Sequence, residues 1–292
     1  MIKLEHAVAR LCRATREGSA ATQAARADTL RMAARQVAEK YRDVDTVRQL
    51  KPKHIEHLVA RWQAEGIAAG TLKNRLSHLR WLAAQDNRPG IIPRSNDELG
   101  IERRSYVPTG PEQSRAIEPP TPAQMLAIKS EHVRASLLLQ QAFGLRREES
   151  IKIRPSIAVQ GDELRLKASW CKGGKARTVP IRTDAQRLAL DYAAKVAAGG
   201  SLVPAGKTYI QHRNAWDRQV RDVGLSRTHG LRHAYAQDRY QELTGWPAPV
   251  CGGPTSRDLT RAQKDQDRLV RLLISRELGH EREAITAQYL GR

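Results

Sequence analysis

Residues 157–181 read IAVQGDELRLKASWCKGGKARTVPI, and this stretch decides the fold class. Runs suited to strands, at 157–159, 163–170 and 177–181, are separated by Gly161-Asp162 and Gly173-Gly174. Both dipeptides favour the backbone angles of tight hairpins, so a small three-stranded antiparallel sheet is expected. Outward in both directions the pattern turns helical. Thr121-Pro122, an N-cap with proline at the first helical position, opens a helix expected to run through Leu126, Val133, Leu137, Leu138 and Ala142 and to end at Gly144. Helical segments resume after the sheet. They are interrupted by the Gly/Pro-dense loop GWPAPVCGGPTSR at 245–257, which precedes a strongly charged helical stretch at 259–277. The expected fold class is mainly α with a small antiparallel sheet (α+β).

Upstream, residues 106–122, YVPTGPEQSRAIEPPTP, hold five prolines and one glycine with no apolar period, the composition of an extended linker. The first hundred residues are Ala-rich and helical. Leu72, Leu76, Leu79 and Leu82 fall on one stripe, whereas Lys73, Arg75 and Arg80 point elsewhere. That helix is expected to pack by its apolar face and to offer the basic residues to phosphates or to solvent. The chain thus divides into a helical domain at 1–105, a linker at 106–120 and a second domain at 121–292.

The chain of 292 residues carries 50 Lys plus Arg against 31 Asp plus Glu, a formal net charge of +19. Of the basic residues 37 are arginine, whose planar fork grips phosphate with two parallel hydrogen bonds. Both sides of the linker are basic, so both are suited to one polyanion, with nucleic acid the leading candidate. An aromatic content of 4% leaves no stacking platform for single strands or RNA. Cys12, Cys171 and Cys251 lie far apart, which rules against a disulfide framework or a Cys-based zinc site. No apolar run approaches the roughly 18 residues of a membrane span, and the first residues lack a secretory apolar region. A cytoplasmic, nucleoid-associated bacterial protein with no membrane partner is the expectation.

The chemistry-bearing residues acquire meaning in order. Gly144-Leu145-Arg146-Arg147-Glu148-Glu149 is followed by Lys172 in the sheet turn, then His229-Gly230-Leu231-Arg232-His233, then Leu278-Gly279-His280, then Tyr289. This series resembles the tyrosine recombinase (phage integrase) family, whose signature is Arg, Lys, His-x-x-Arg, a His or Trp, and a nucleophilic Tyr. The resemblance covers most of residues 119–292. It implies a helical, SAM-like core-binding domain followed by a catalytic domain with an insertion around 245–268.

The resemblance assigns roles that the chemistry of phosphodiester cleavage requires. Arg146 and Arg232 would clamp the scissile phosphate and Tyr289 would attack it, giving a 3′-phosphotyrosyl bond. His229 would accept the phenolic proton, Lys172 would protonate the leaving 5′ oxygen, and His280 would hydrogen-bond the phosphate. The ester conserves the bond energy, so no nucleotide or other cofactor and no metal are expected. The partners implied are double-stranded DNA recombination sites and a homotetramer acting on two of them. A type IB topoisomerase-like strand swivelase and a non-catalytic architectural DNA-binding protein are the alternatives.

Several residues admit a second reading. Glu149 is either a buttress for Arg146 or a surface salt-bridge partner, and His280 either enters the site or caps a helix after Gly279. Lys172 and Lys175 flank one turn, and the family pattern favours Lys172. His229 and His233, four apart, have metal-ligand spacing, but HExxH is absent; His233 is expected to pack beside the active-site helix. Arg147, Lys175 and Arg177 join Lys73, Arg75 and Arg80 as candidate DNA-binding residues. Two features depart from compact relatives: Arg232 and His280 are 48 positions apart, and only Leu290, Gly291 and Arg292 follow Tyr289. Coupling between protomers is therefore expected to use surfaces other than a C-terminal helix.

Overall fold

A computed structural model of the chain describes residues 2–103 and 106–292. The chain separates into two compact units, Met1–Ser105 and Tyr106–Arg292. The first is built from α1 (Lys3–Ala14), α2 (Ala20–Lys40), α3 (Pro52–Ala64) and α4 (Ala69–Gln85). Its core joins Leu4 and Val8, Leu30 and Val37, Ile55, Leu58 and Trp62, and the α4 stripe of Leu72, Leu76, Leu79 and Leu82. Each such leucine contributes about 1.5–3 kcal/mol by leaving water.

The basic residues of α4 behave differently from the sequence expectation. Residues beyond α4 fold back along it and supply carbonyl groups, so Arg80 donates to Pro93 O (2.8 Å) and Asn96 Oδ1 (2.9 Å). Lys73 donates to Glu102 O at 2.7 Å. The Arg75 guanidinium lies 4.9 Å above the Trp62 ring. All three side chains are half-buried and make contacts within their own unit, so they are less open than the helical stripe alone implies.

The second unit begins with residues 106–120, which are not a free linker. Pro108 is buried, and Ile117 packs on the cluster of Ile128, Val133, Leu137, Ile151, Trp216, Val220 and Leu231. Even a Cβ on Gly230 would meet Arg115 O at 2.5 Å, so the strap lies directly across the start of a later helix. Two apolar anchors in a proline-rich segment lack any period, which is why the sequence concealed this packing.

The helix expected at 121–143 divides into α5 (Pro122–Ala127) and α6 (Glu131–Phe143). Ile128 adopts extended backbone and is buried in the core, while Ser130 N–H donates across to Gln219 Oε1 at 2.9 Å. Then follow α7 (Arg147–Lys152), α8 (Pro155–Ala158) and a three-stranded antiparallel sheet, β1 (Val159–Gln160), β2 (Glu163–Leu166) and β3 (Arg177–Pro180), in the order β1-β2-β3. Leu164 sits opposite Val179, both buried. The strands are shorter than expected. Ile157 lies in α8, and β2 stops at Leu166, after which a 3-10 turn at Ala168–Trp170 carries both Trp170 and Cys171 into one core, as consecutive strand residues with alternating faces would not.

The remaining helices are α9 (Asp184–Ala197), α10 (Tyr209–Asp222), α11 (Gly230–Thr244), α12 (Arg261–Glu277) and α13 (Glu283–Leu290). A Thr-x-x-Gln capping box opens α5, α9, α10 and α12, satisfying two backbone donors each time. In the segment expected as an insertion, Ala248 and Val250 are buried with Tyr240, Ile274, Tyr289 and Leu290. Part of that loop therefore supports α13 and its tyrosine. Among the described residues no helix is long and apolar enough to cross a membrane.

Candidate active site

Three chain corners converge in the second unit. Gly144 ends α6 in the left-handed conformation, which turns Arg146 into the N-cap of α7. There the backbone N–H of Arg146 donates to Glu149 Oε2 at 2.8 Å, and its Nη1 donates to Oε1 of the same carboxylate at 2.7 Å. Capping and guanidinium placement are thus one device. Glu149 is 0% exposed. Burial pushes its carboxyl upward, but hydrogen bonds and charge from Arg177, with Arg146 and Arg232 behind, overcome this and hold it down to about 2.

The second corner is the end of α12. His280 N–H donates to Ser275 O (2.8 Å) and Gly279 N–H to Arg276 O (2.9 Å), the paired bonds of a Schellman ending. Gly279 has φ of +74°, and a Cβ there would lie 3.0 Å from Arg177 Cδ. The backbone therefore does the capping, and the His280 ring is free to reach Arg146, whose Nη2 lies 3.2 Å from His280 Nε2. A guanidinium can only donate, so Nε2 is the acceptor and the ring is neutral. Burial and then the Arg146, Arg232 and Arg177 charges lower its pKa to about 4, in agreement.

The third corner is the first turn of α11. His229 and His233 meet edge to face at 5.6 Å between ring centroids, and His233 lies 4.6 Å from the Tyr289 ring. Burial, reinforced by neighbouring cations, lowers His229 to about 4; burial and then the His229 and Arg115 charges take His233 to about 3. Arg232 is 1% exposed. It donates from Nη1 to Gly144 O at 2.6 Å, from Nη2 to Leu278 O, and from Nε to the Tyr289 hydroxyl at 3.3 Å. Burial lowers its pKa to about 10, with Tyr289 partly opposing, so it remains a cation at neutral pH.

Beside them opens a cleft of about 550 Å³ lined by Arg146, Lys172, Lys175, His229, His280 and Tyr289. Lys172 is exposed in the turn between β2 and β3. Arg232 does not line the cleft; it lies beneath Tyr289. The sequence reading gave both arginines the same task of clamping the phosphate. The structure separates them into one at the cleft wall and one beneath the phenol.

The DNA-binding expectations for this unit divide as well. Lys175 is exposed and paired with Glu281 at 2.7 Å, and Arg147 pairs with Asp217 beside the Trp216 ring. Arg177 contradicts the expectation. Its side chain is 6% exposed and bonds Glu149 through two parallel contacts of 2.7 and 2.9 Å. The signal was present in the strand parity: Arg177 shares the face of Val179, which is buried. Sequence reasoning also missed Glu277, which accepts from Tyr235 Oη (2.8 Å) and Arg239 Nη2 (3.1 Å) under α12. Among the described residues no group of three His, Cys, Asp or Glu side chains is arranged to hold a metal ion.

Residues 1–90 match the family described as Phage integrase, N-terminal, and residues 114–238 match the family Integrase. His280 and Tyr289 lie beyond the second match. The chain belongs to the tyrosine recombinase (phage integrase) family, a class of site-specific DNA-recombining enzymes. No curated protein sequence matches it. Among solved structures, a XerH site-specific recombinase bound to its difH substrate aligns with a TM-score of 0.56 at 16% identity, over 99% of this chain and 82% of that one. The Tn1549 transposon integrase in complex with circular intermediate DNA aligns with a TM-score of 0.55 at 12% identity, over 100% and 96% respectively. At these identities the likeness concerns the fold.

Proposed function

We propose that this chain cleaves and rejoins duplex DNA at specific sites through a 3′-phosphotyrosyl intermediate formed on Tyr289. The observation that carries this reading is the Tyr289 hydroxyl, 3.3 Å from Arg232 Nε, at the edge of a cleft lined by Arg146, Lys172, His229 and His280. The two DNA-bound structures of like fold support DNA as the partner.

Tyrosine, with an ordinary pKa near 10, must lose its proton as it attacks. Arg232 holds a positive charge against the oxygen, and the neutral His229 accepts the proton directly or through one water. Tyr289 Oη then bonds to phosphorus as the bond to the 5′ oxygen breaks, and Lys172 donates the proton which that oxygen takes up. Arg146, backed by Glu149, neutralises charge growing on the non-bridging oxygens, and His280 adds a hydrogen bond. Attack by a 5′ hydroxyl from the partner strand reverses these steps and reseals the DNA without ATP. Four protomers on two sites form the assembly proposed for exchange, and the half-buried Arg147 and the exposed Lys175 would follow the DNA backbone.

Nicked duplexes of randomised sequence, incubated with the chain and resolved under denaturing conditions, should yield a covalent protein–DNA adduct. Tyr289→Phe should lower its formation by at least about 10⁴-fold, the scale of losing a nucleophile. An adduct that survives this substitution overturns the assignment.

A further inference from the structure

Arg177 lies at the start of β3, behind the Arg146–Glu149 pair and away from the cleft lining. It makes three sets of contacts at once. Its Nη1 and Nη2 donate to Glu149 at 2.9 and 2.7 Å, its Nε donates to Glu277 O at 2.8 Å, and its Nη1 also reaches Cys171 Sγ at 3.4 Å. Glu149 Oε1 is shared by Arg146 and Arg177, and Oε2 is shared by Arg177 and the Arg146 backbone N–H. Every oxygen of this fully buried carboxylate is therefore met from both sides. The contact with Glu277 O and the close approach to Gly279 tie the same guanidinium to the turn that carries His280.

We propose that Arg177 is a positioning residue for strand cleavage: it pins Glu149 from behind and braces the Gly279 turn, so that Arg146 and His280 face the scissile phosphate. This rests on the phosphotyrosyl reading above. The electrostatics gives the reason for a second arginine. Glu149 paired with Arg146 alone would cancel the charge that the phosphate is meant to feel. With Arg177 supplying a matching cation on the far side, Arg146 keeps its positive charge for the cleft. A misplacement of about 1 Å in such a group costs on the order of 100-fold in rate.

Single-turnover cleavage at saturating duplex, using a sequence captured in the adduct experiment, tests the idea. Arg177→Gln should cleave on the order of 100-fold more slowly, while its dissociation constant for the duplex stays within about threefold, because no phosphate contact is lost. Arg177→Lys, which keeps the charge but not the paired geometry, should fall between. Replacing one non-bridging oxygen of the scissile phosphate by methyl removes the charge that Arg146 meets, so on this substrate the Arg177→Gln defect should shrink. In a Glu149→Gln background Arg177→Gln should add little, since residues acting through one another are not additive.

Parental cleavage by Arg177→Gln overturns the proposal, as does a loss that is additive with Glu149→Gln and equal on both substrates. If circular dichroism shows that Arg177→Gln does not fold, Arg177→Lys carries the same measurements. Tyr289→Phe run alongside separates the two failures. Adduct formation by that variant removes the cleavage reading itself, whereas an inert Tyr289→Phe with an unimpaired Arg177→Gln removes only the positioning role.

Discussion

The two walls of the cleft use the same residue types under opposite physical conditions. On the side formed by α11 and α13, Tyr289 is buried at the cleft edge with Arg232 and His233 buried behind it, and the Arg232 guanidinium is spent on Gly144 O, Leu278 O and the phenol. On the facing wall, Arg146 retains 18% side-chain exposure and Lys172 stands in open solvent at the tip of a turn. On the proposed reading, one side holds the nucleophile beside a fixed charge in a dry setting, where a dipole or cation acts most strongly. The other remains accessible to an incoming phosphate. Two arginines in one signature therefore stand in different surroundings, and on the proposed reading one serves the fold as well as the reaction and the other chiefly the reaction.

That contrast can be broken by substitution. The largest effect should come from Arg232→Ala, which leaves two interior carbonyls without donors and should lower unfolding free energy by about 2–5 kcal/mol while abolishing adduct formation. Urea unfolding followed by circular dichroism measures the first part. Full stability in this variant would show that Arg232 is not an interior strut.

Arg146→Ala comes next, with cleavage slowed about 10²–10³-fold, as when one charge-stabilising group is removed. Stability should move far less than for Arg232→Ala, because Arg177 still pairs Glu149. Equal destabilisation by the two variants would erase the distinction between the walls.

Lys172→Ala should leave the urea midpoint unchanged, as expected of an exposed turn residue, and should slow cleavage by about 10²-fold or more through loss of the general acid. A substrate with sulfur in place of the 5′ bridging oxygen leaves without needing a proton, so it should restore the rate. Failure of that substrate would move the acid role to the neighbouring Lys175.

The smallest and most graded effect concerns pH. His229 and His280 titrate near 4 and His233 near 3 in the folded chain, against an ordinary value near 6.5. Between those values the unfolded chain binds protons that the folded one refuses. The contribution to stability is present above about pH 6.5 and is lost progressively as pH falls toward 4. Glu149, held near 2 against a usual 4.5, extends the loss to lower pH in the same direction. Urea midpoints at pH 7.5, 6 and 5 should decline in that order, and a midpoint that rises on acidification would contradict neutral, buried imidazoles.

Much of this arrangement was legible in the chain itself. The order of Arg146, Lys172, His229, Arg232, His280 and Tyr289 identified the residues that the fold brings to one place, and Gly161-Asp162 marked the hairpin that the structure shows. Other parts were hidden for identifiable reasons. Residues 106–120 have the composition of a linker because Pro108 and Ile117 anchor the strap without any period. The break at Ile128 is invisible in the sequence because an apolar residue suits the helical stripe as well as it suits a core-facing kink. The contacts of Lys73 and Arg80 are hidden because local periodicity describes which way a side chain leaves its helix, and says nothing of the carbonyls folded back upon it.

The sequence by itself determined the helical units, the small sheet, the basic charge and the inventory of reactive groups, since these follow from local spacing and composition. Only the tertiary structure decided which arginine lies under the phenol, which faces the cleft, and which stands behind Glu149. Those assignments depend on burial and on contacts between residues as many as 134 positions apart, as for Arg146 and His280. Charge acquires its chemical meaning from what surrounds it, and those surroundings are assembled only when the chain folds.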